Sequence, residues 1–309
     1  MIRENDGEKF IEALSLNQEL TFEYAARVFA DKDIAFGETQ QTSLGLIRAD
    51  GRYSNLALIM SEQCPYSVKA AIFGGVTKEI FKDRKEFTGS VFQQVDEVLA
   101  YLNVYNKVAS TFEGAYRVDS PDYPEIVLRE ALLNAIIHRD YYIEGSVLVS
   151  MFDDRLEIMS LGGIMPGVTR ELMQAGVSVP RNEKLAAVFH RLRLIEAYGT
   201  GIPRIFETYA KFGIVPAIPI TNGGFLISLP NLSYALQTAA KPCLTANEQK
   251  ITDYFKSEFI KQEAAELLGI SVSGAYKLLQ RMTERGLLSY HKAGKEMVYY
   301  VSSHIKFNQ

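Results

Sequence analysis

Glu125-Ile-Val-Leu-Arg-Glu130-Ala-Leu-Leu-Asn134-Ala-Ile-Ile-His138 is the stretch on which the fold turns. Ile126, Leu128, Leu132, Leu133, Ile136 and Ile137 recur at helical spacing, and Pro124 suits a helix start. Glu130 and Asn134 are four residues apart, so a helix stacks them on one face. A carboxylate that can polarise water, beside an amide oxygen that can ligate magnesium, suits phosphoanhydride chemistry. A plainer reading fits the same residues: Glu130 pairing with Arg129 or Arg139 at the surface, and Asn134 capping a loop.

Downstream, Ser146 to Phe152 and Leu156 to Ser160 read as two strands joined through Asp153-Asp154-Arg155, a hairpin turn. The second strand runs into Leu161-Gly162-Gly163, where glycines let backbone approach a base or phosphate. Lys184 to Ile195 has Leu185, Val188, Phe189, Leu192 and Ile195 on one side of a helix. Gly199-Thr200-Gly201-Ile202-Pro203 then opens another helix and would aim N–H groups at an anion. Arg181-Asn182 either contacts phosphate or begins the helix, and His138-Arg139-Asp140 reads as a helix end.

Upstream, Leu20 to Phe29 reads as a helix capped by Thr21, and Ser43 to Ile47 with Tyr53 to Met60 as a hairpin about Asp50-Gly51. Together they resemble a small winged-helix unit. Val68 to Phe73 is strand-like, Thr77 to Phe87 has no clean period, and Ser90 to Tyr105 reads as an amphipathic helix. Turn formers and Pro121 mark a boundary in 109–122, and the alanine-rich 233–242 reads as a linker.

At the C-terminus, Thr245-Ala-Asn-Glu248 is a capping box opening a helix. Lys261 to Leu268, the turn Gly269-Ile270-Ser271 and Val272 to Arg285 have the spacing of a helix-turn-helix, with Val272, Ala275, Leu278, Leu279 and Met282 expected inward. The outward face would carry Ser273, Tyr276, Lys277, Gln280 and Arg281, groups suited to base edges and phosphates. Leu287 to His291 and Met297 to Val301 form a hairpin whose Lys292-Ala-Gly-Lys295 reads as a basic wing. The partner implied is duplex DNA, with a protein-contact or dimerisation role as the other reading.

The formal net charge of -4 excludes a chain coated in positive charge, so any DNA contact is local. Cys64 and Cys243 are too few for a disulfide framework or a four-cysteine zinc site. No apolar run suits a signal peptide or a membrane span, and the expected location is the cytoplasm.

The succession Arg129-Glu-Ala-Leu-Leu-Asn-Ala135, His138-Arg-Asp-Tyr141, Asp153-Asp-Arg-Leu-Glu157, Ser160-Leu-Gly-Gly163, Pro180-Arg-Asn182 and Glu196-Ala-Tyr-Gly-Thr-Gly-Ile202 resembles the GHKL superfamily of ATP-binding folds. More specifically it resembles the RecG-like C-terminal family of transcriptional regulators, whose members usually begin with a Schlafen-type, Alba-like DNA-binding module. No stretch before Phe10 is long enough for that module, which leaves a short member or a piece of a longer chain.

The resemblance implies an α+β architecture: a histidine-kinase-like ATPase sandwich over 121–232, a smaller α/β region over 1–120 and a winged helix-turn-helix over 243–309. It assigns Glu130 to the general base, Asn134 to the magnesium ligand, and Ser160, Gly162, Gly163, Gly199, Thr200 and Gly201 to the nucleotide pocket, with ATP and magnesium as the cofactors. Ser160 departs from the family pattern, standing where an aspartate reads the adenine amino group. No G-x-x-x-x-G-K-[ST] loop occurs, so the helicase name implies no strand separation. The function implied is a DNA-binding transcriptional regulator acting as a homodimer, its core a nucleotide sensor or assembly platform. The alternatives are a magnesium-dependent ATPase using Glu130 and Asn134, and a scaffold in a regulatory or defence complex.

Overall fold

The computed structural model describes residues 9–113, 116–196, 199–219, 223–240, 244–255, 257–285, 287–293 and 296–301. They form two compact units, Met1–Ala235 and Leu236–Gln309.

In the first unit, helices α1 (Glu23–Ala30), α2 (Glu38–Leu44) and α3 (Asn55–Met60) precede strands β1 (Ser67–Gly74) and β2 (Ile80–Phe87). Helix α4 (Val91–Tyr105), strands β3 (Val108–Glu113) and β4 (Tyr116–Pro121) and helix α5 (Glu125–Ile137) follow. Next come β5 (Ser146–Met151), β6 (Arg155–Leu161), α6 (Arg170–Gln174), α7 (Glu183–Arg191), α8 (Gly201–Ala210), β7 (Gly224–Pro230) and α9 (Leu232–Ala240).

Five strands make one mixed sheet in the order β2-β1-β5-β6-β7, parallel only between β1 and β5. The register places Ala70, Val149, Ile158 and Ile227 in one row across it. All four are at most 2% exposed, so this face is the core side. Helix α4 packs on β1 and α5 on β6, giving a helical layer over one face of the sheet. Helix α5 is buried around most of its girth, from Val127 and Leu128 to Ile136 and Ile137, because α4 and α8 flank it.

Several expectations need correction. The division near residue 120 does not separate two cores, since β1 and β2 share the sheet with β5 to β7 and one apolar cluster runs through both segments. The hairpin expected over 43–60 is a single bridge, Ile47 to Tyr53, because Ser54 accepts the Ala57 N–H and starts a helix instead. Thr21 does not cap α1; its N–H and hydroxyl are held by Gln63 and Glu62. Residues 109–122 hold a two-stranded hairpin, not a bare turn. Within 77–87, Ile80–Phe87 form β2, an edge strand exposed except at half-buried Asp83 and buried Phe87, which explains the missing periodicity. The expected linker 233–242 is helical through Ala240, and the boundary between units falls within α9.

The second unit contains α10 (Ala246–Tyr254), β8 (Phe259–Ile260), α11 (Lys261–Leu268), α12 (Val272–Glu284), β9 (Leu288–Ala293) and β10 (Glu296–Val301). The capping box forms as read: Thr245 N–H donates to Glu248 at 2.7 Å and Glu248 N–H to the Thr245 hydroxyl at 3.4 Å. Gly269, left-handed at φ 64°, ends α11, and Ser271 accepts the Gly274 N–H to cap α12. Ala275, Leu278, Leu279 and Met282 face the core with Ile251, Phe259 and Tyr299. Val272, expected inward, is 42% exposed because it opens the helix beyond the packed turn. A short strand absent from the sequence reading, β8, makes the hairpin a three-stranded sheet ordered β8-β10-β9.

Candidate functional site

Helix α5 brings Glu130 and Asn134 together, but in surroundings the spacing did not reveal. Glu130 is 6% exposed. Two guanidiniums converge on its Oε1, Arg129 Nη1 at 3.3 Å and Arg204 Nη1 at 3.0 Å. Arg129 also donates to the Leu194 carbonyl. Arg204 reaches on to Glu196 at 2.7 Å, and the Thr200 hydroxyl donates to the other oxygen of Glu196 at 2.8 Å. Those bonds, Arg204 first and Thr200 second, hold the Glu196 carboxyl below the usual carboxylate range. Glu130 is therefore neither a surface residue nor a free base. It is a buried anion neutralised from two sides.

Asn134 Nδ2 donates to the Glu130 carbonyl one turn back, at 2.8 Å. Gly201, the first residue of α8, closes directly on this pair: a Cβ added there would lie 2.9 Å from Glu130 Oε2 and 3.1 Å from Asn134 Nδ2. A side chain at that position would oblige the Glu130 carboxylate to shift. Gly199, at φ 64°, is pressed against 164–180, and a Cβ on it would lie 1.9 Å from the Gly176 carbonyl oxygen.

Around these residues lies a cavity of about 400 Å³, walled by α5, the Gly162-Gly163 turn, part of 164–180, α7 and the start of α8. Glu130, Asn134, Gly162, Gly163, Gly199, Thr200 and Gly201 all line it. Ser160 does not. Strand β6 alternates, so Ser160 points inward with Leu156 and Ile158, and its buried hydroxyl has no hydrogen-bond partner among the described residues.

Arg181 and Asn182 are fixed by the end of α5. Asn182 Nδ2 donates to the Ile137 and Arg139 carbonyls at 2.7 and 2.8 Å, which satisfies carbonyls that the helix end leaves open. Arg181 donates to the His138 and Gly163 carbonyls at 3.3 and 2.8 Å and pairs with Asp140 at 3.4 Å. His138 borders the cavity; burial first, then the Arg181 charge, push its imidazole down to about 4, so it is neutral near pH 7. Arg139 is 2% exposed and sits over the rings of Tyr66 and Tyr141, a packing role. Asp153 accepts from the Gly75 N–H and pairs with Lys82, so its contacts reach across to the β1–β2 end of the sheet and are not bonds within its own turn.

These residues do not fit a magnesium nucleotide. The hydroxyl standing in for the adenine reader lies outside the cavity lining. Gly201 comes close to Glu130 and Asn134 at the cavity edge, where a Cβ would lie 2.9 Å from Glu130 Oε2. Among the described lining residues Arg181 is the one arginine or lysine, and carbonyl oxygens and Asp140 engage it. The sequence reading missed Arg204. It is 74 positions from Glu130, and nothing in its local spacing marks it as that residue's partner.

In the second unit Ser273, Tyr276, Lys277, Gln280 and Arg281 are all exposed on α12, and Lys292 is exposed on β9. Lys261 Nζ stands 5.9 Å from the Tyr276 ring centre. Lys295, Cys243 and Gly286 lie outside the described residues. Cys64 is a buried thiol, pushed up to about 11 by desolvation, and no described helix is long and apolar enough to cross a membrane.

No curated protein matches the chain. A crystal structure of the DIP2311 protein from Corynebacterium diphtheriae resembles it with a TM-score of 0.64 at 21% identity, over 97% of this chain. The chain spans 65% of that protein's length, and the likeness is one of fold. Residues 144–228 match the family model described as "Putative ATP-dependent DNA helicase recG C-terminal", a segment that holds the Gly162-Gly163 turn and Gly199 to Gly201 but begins after Glu130 and Asn134. The mixed sheet and this match together support an ATPase-like domain within the first unit.

Proposed function

We propose that this protein is a cytoplasmic, DNA-binding transcriptional regulator. In this reading the second unit is a winged helix-turn-helix, and the ATPase-like core is a sensing and assembly platform without ATP turnover. The observation that carries it is helix α12. Its underside is packed, with Ala275 and Leu279 fully buried, while Ser273, Tyr276, Lys277, Gln280 and Arg281 stand in solvent. No described acidic side chain pairs with Lys277 or Arg281, so both cations are free to meet phosphates. The Ser271 cap sets where the helix starts, and β9 with β10 supports a wing. Glu263, Glu266 and Glu284 lower the local positive charge, so one copy binds modestly and a homodimer gains from joining two.

The core enters as a platform because its candidate base is clamped by Arg129 and Arg204 and its glycine turn is closed on Asn134. The test is fluorescence anisotropy of the full chain with a random-sequence duplex over a salt series. Affinity is expected to fall steeply with salt and to be lost in Lys277→Ala with Arg281→Ala at unchanged thermal midpoint. Binding indifferent to both salt and substitution would overturn the reading.

A further inference from the structure

The cavity of the first unit has walls that select against the ligand its fold resemblance implies. At about 400 Å³ it lies within the range of small-molecule sites, roughly 300–1,000 Å³. Its wall is mostly apolar, with Leu133, Ile137, Ile164, Met173, Val177 and Ile202 among the contributors. The charged groups at its edge already neutralise one another. Glu130 is held by Arg129 and Arg204, Glu196 by Arg204 and Thr200, and Arg181 by two carbonyls and Asp140.

A triphosphate would find the arginines at the edge, Arg129 and Arg204, already committed to Glu130 and Glu196, and the one lining guanidinium, Arg181, held by carbonyls and Asp140, an unfavourable exchange for its hydration. An uncharged guest loses little hydration and gains apolar contact. Two polar groups at the wall stay available to it. Asn134 engages its Nδ2 within α5, and among the described residues no donor meets its Oδ1. The His138 ring is uncharged and can accept or donate.

We propose that this cavity binds an uncharged, largely apolar small molecule that donates a hydrogen bond to Asn134 Oδ1, and not a nucleotide. The proposal deepens the reading of the core as a sensing platform and rests on it for its biological meaning.

The experiment uses the full chain and 1-N-phenylnaphthylamine, an uncharged apolar fluorophore with a single N–H donor. Saturable enhancement of its emission is expected, undisturbed by ATP with magnesium. Ala186→Trp or Ala187→Trp, which add bulk at the α7 wall, should weaken it about tenfold or more while the thermal midpoint holds. Asn134→Ala should weaken it about fivefold, the worth of one net hydrogen bond. If neither tryptophan variant keeps the wild-type midpoint, Asn134→Ala decides, with unchanged affinity counting against the proposal. Absence of saturable binding, indifference to the wall variants, or displacement of the probe by ATP with magnesium would overturn it. Duplex binding is measured on the same samples. Loss of probe binding with DNA binding intact removes this inference alone, and loss of DNA binding with probe binding intact removes the regulator reading alone.

Discussion

Arg204 on α8 reaches Glu130 on α5 at 3.0 Å, and the glutamate side chain it meets is buried. A buried charge that loses a partner is costly, typically about 3–5 kcal/mol. Here Arg129 remains on the same oxygen at 3.3 Å, and Arg204 itself is about one-third exposed. Arg204→Ala is therefore expected to destabilise the protein by about 1–3 kcal/mol, read from the urea midpoint at constant slope. Glu130→Gln, which leaves two partly exposed guanidiniums free to meet water, should cost less, below about 1 kcal/mol. The reverse order would mean that the clamp is not what stabilises α5 against α8.

Gly199 and Gly213 separate backbone strain from close packing. Both are left-handed, at φ 64° and 67°, but a Cβ at Gly199 would strike the Gly176 carbonyl oxygen whereas one at Gly213 meets nothing within 4 Å. Gly213→Ala should cost about 1 kcal/mol, the conformational penalty alone. Gly199→Ala adds displacement of 164–180 and should cost about 2–4 kcal/mol. Thermal unfolding of the two variants side by side checks the difference, and equal losses would show that the Gly176 contact yields freely.

How far the chain could be read from its residues follows from the range of the forces involved. The helix of Glu130 and Asn134, the β5 and β6 hairpin, the glycine turns and the helices of the second unit are set by local periodicity and capping, and all stand near their expected positions. Strand β2 escaped because an exposed edge carries no alternation, and β8 because two residues hold no pattern. At the site, spacing placed Glu130 and Asn134 on one helix but could not show that Arg204 and Gly201 close on them from α8. Nor could it show that Ser160 points into the core, since that depends on which face of β6 the helices cover.

Acid titration should expose His138. Its folded imidazole is pushed down to about 4 from an ordinary 6.5, by desolvation first and the Arg181 charge second. Protonation then favours the unfolded chain. The contribution of this group is fully present above about pH 6.5, declines as pH falls toward 4 and levels off below it. The shift bounds the loss at about 3 kcal/mol, reduced because the ring is partly open to the cavity. His138→Gln should flatten the stability profile of the first unit below pH 6.5 until carboxylate losses set in, as for Glu196, whose ordinary value is 4.5. A wild-type profile already flat there would place the ring in water.

On α12 the two kinds of polar side chain should separate by assay. Lys277 is a point charge suited to phosphate, so Lys277→Ala is expected to weaken binding to every duplex alike and to lower the slope of log affinity against log salt by about one. Gln280 stands one turn further along the same exposed face, and its amide matches the paired donor and acceptor of an adenine edge. Gln280→Ala should leave the salt slope unchanged and relax selection at one base position by about 1–3 kcal/mol. Selection from a random duplex library, followed by salt titration of the enriched site, measures both quantities. If Gln280→Ala changes the slope and not the selected sequence, α12 lies along the phosphate backbone and not in the major groove, and base reading must then come from Ser273, Tyr276 or the β9–β10 hairpin.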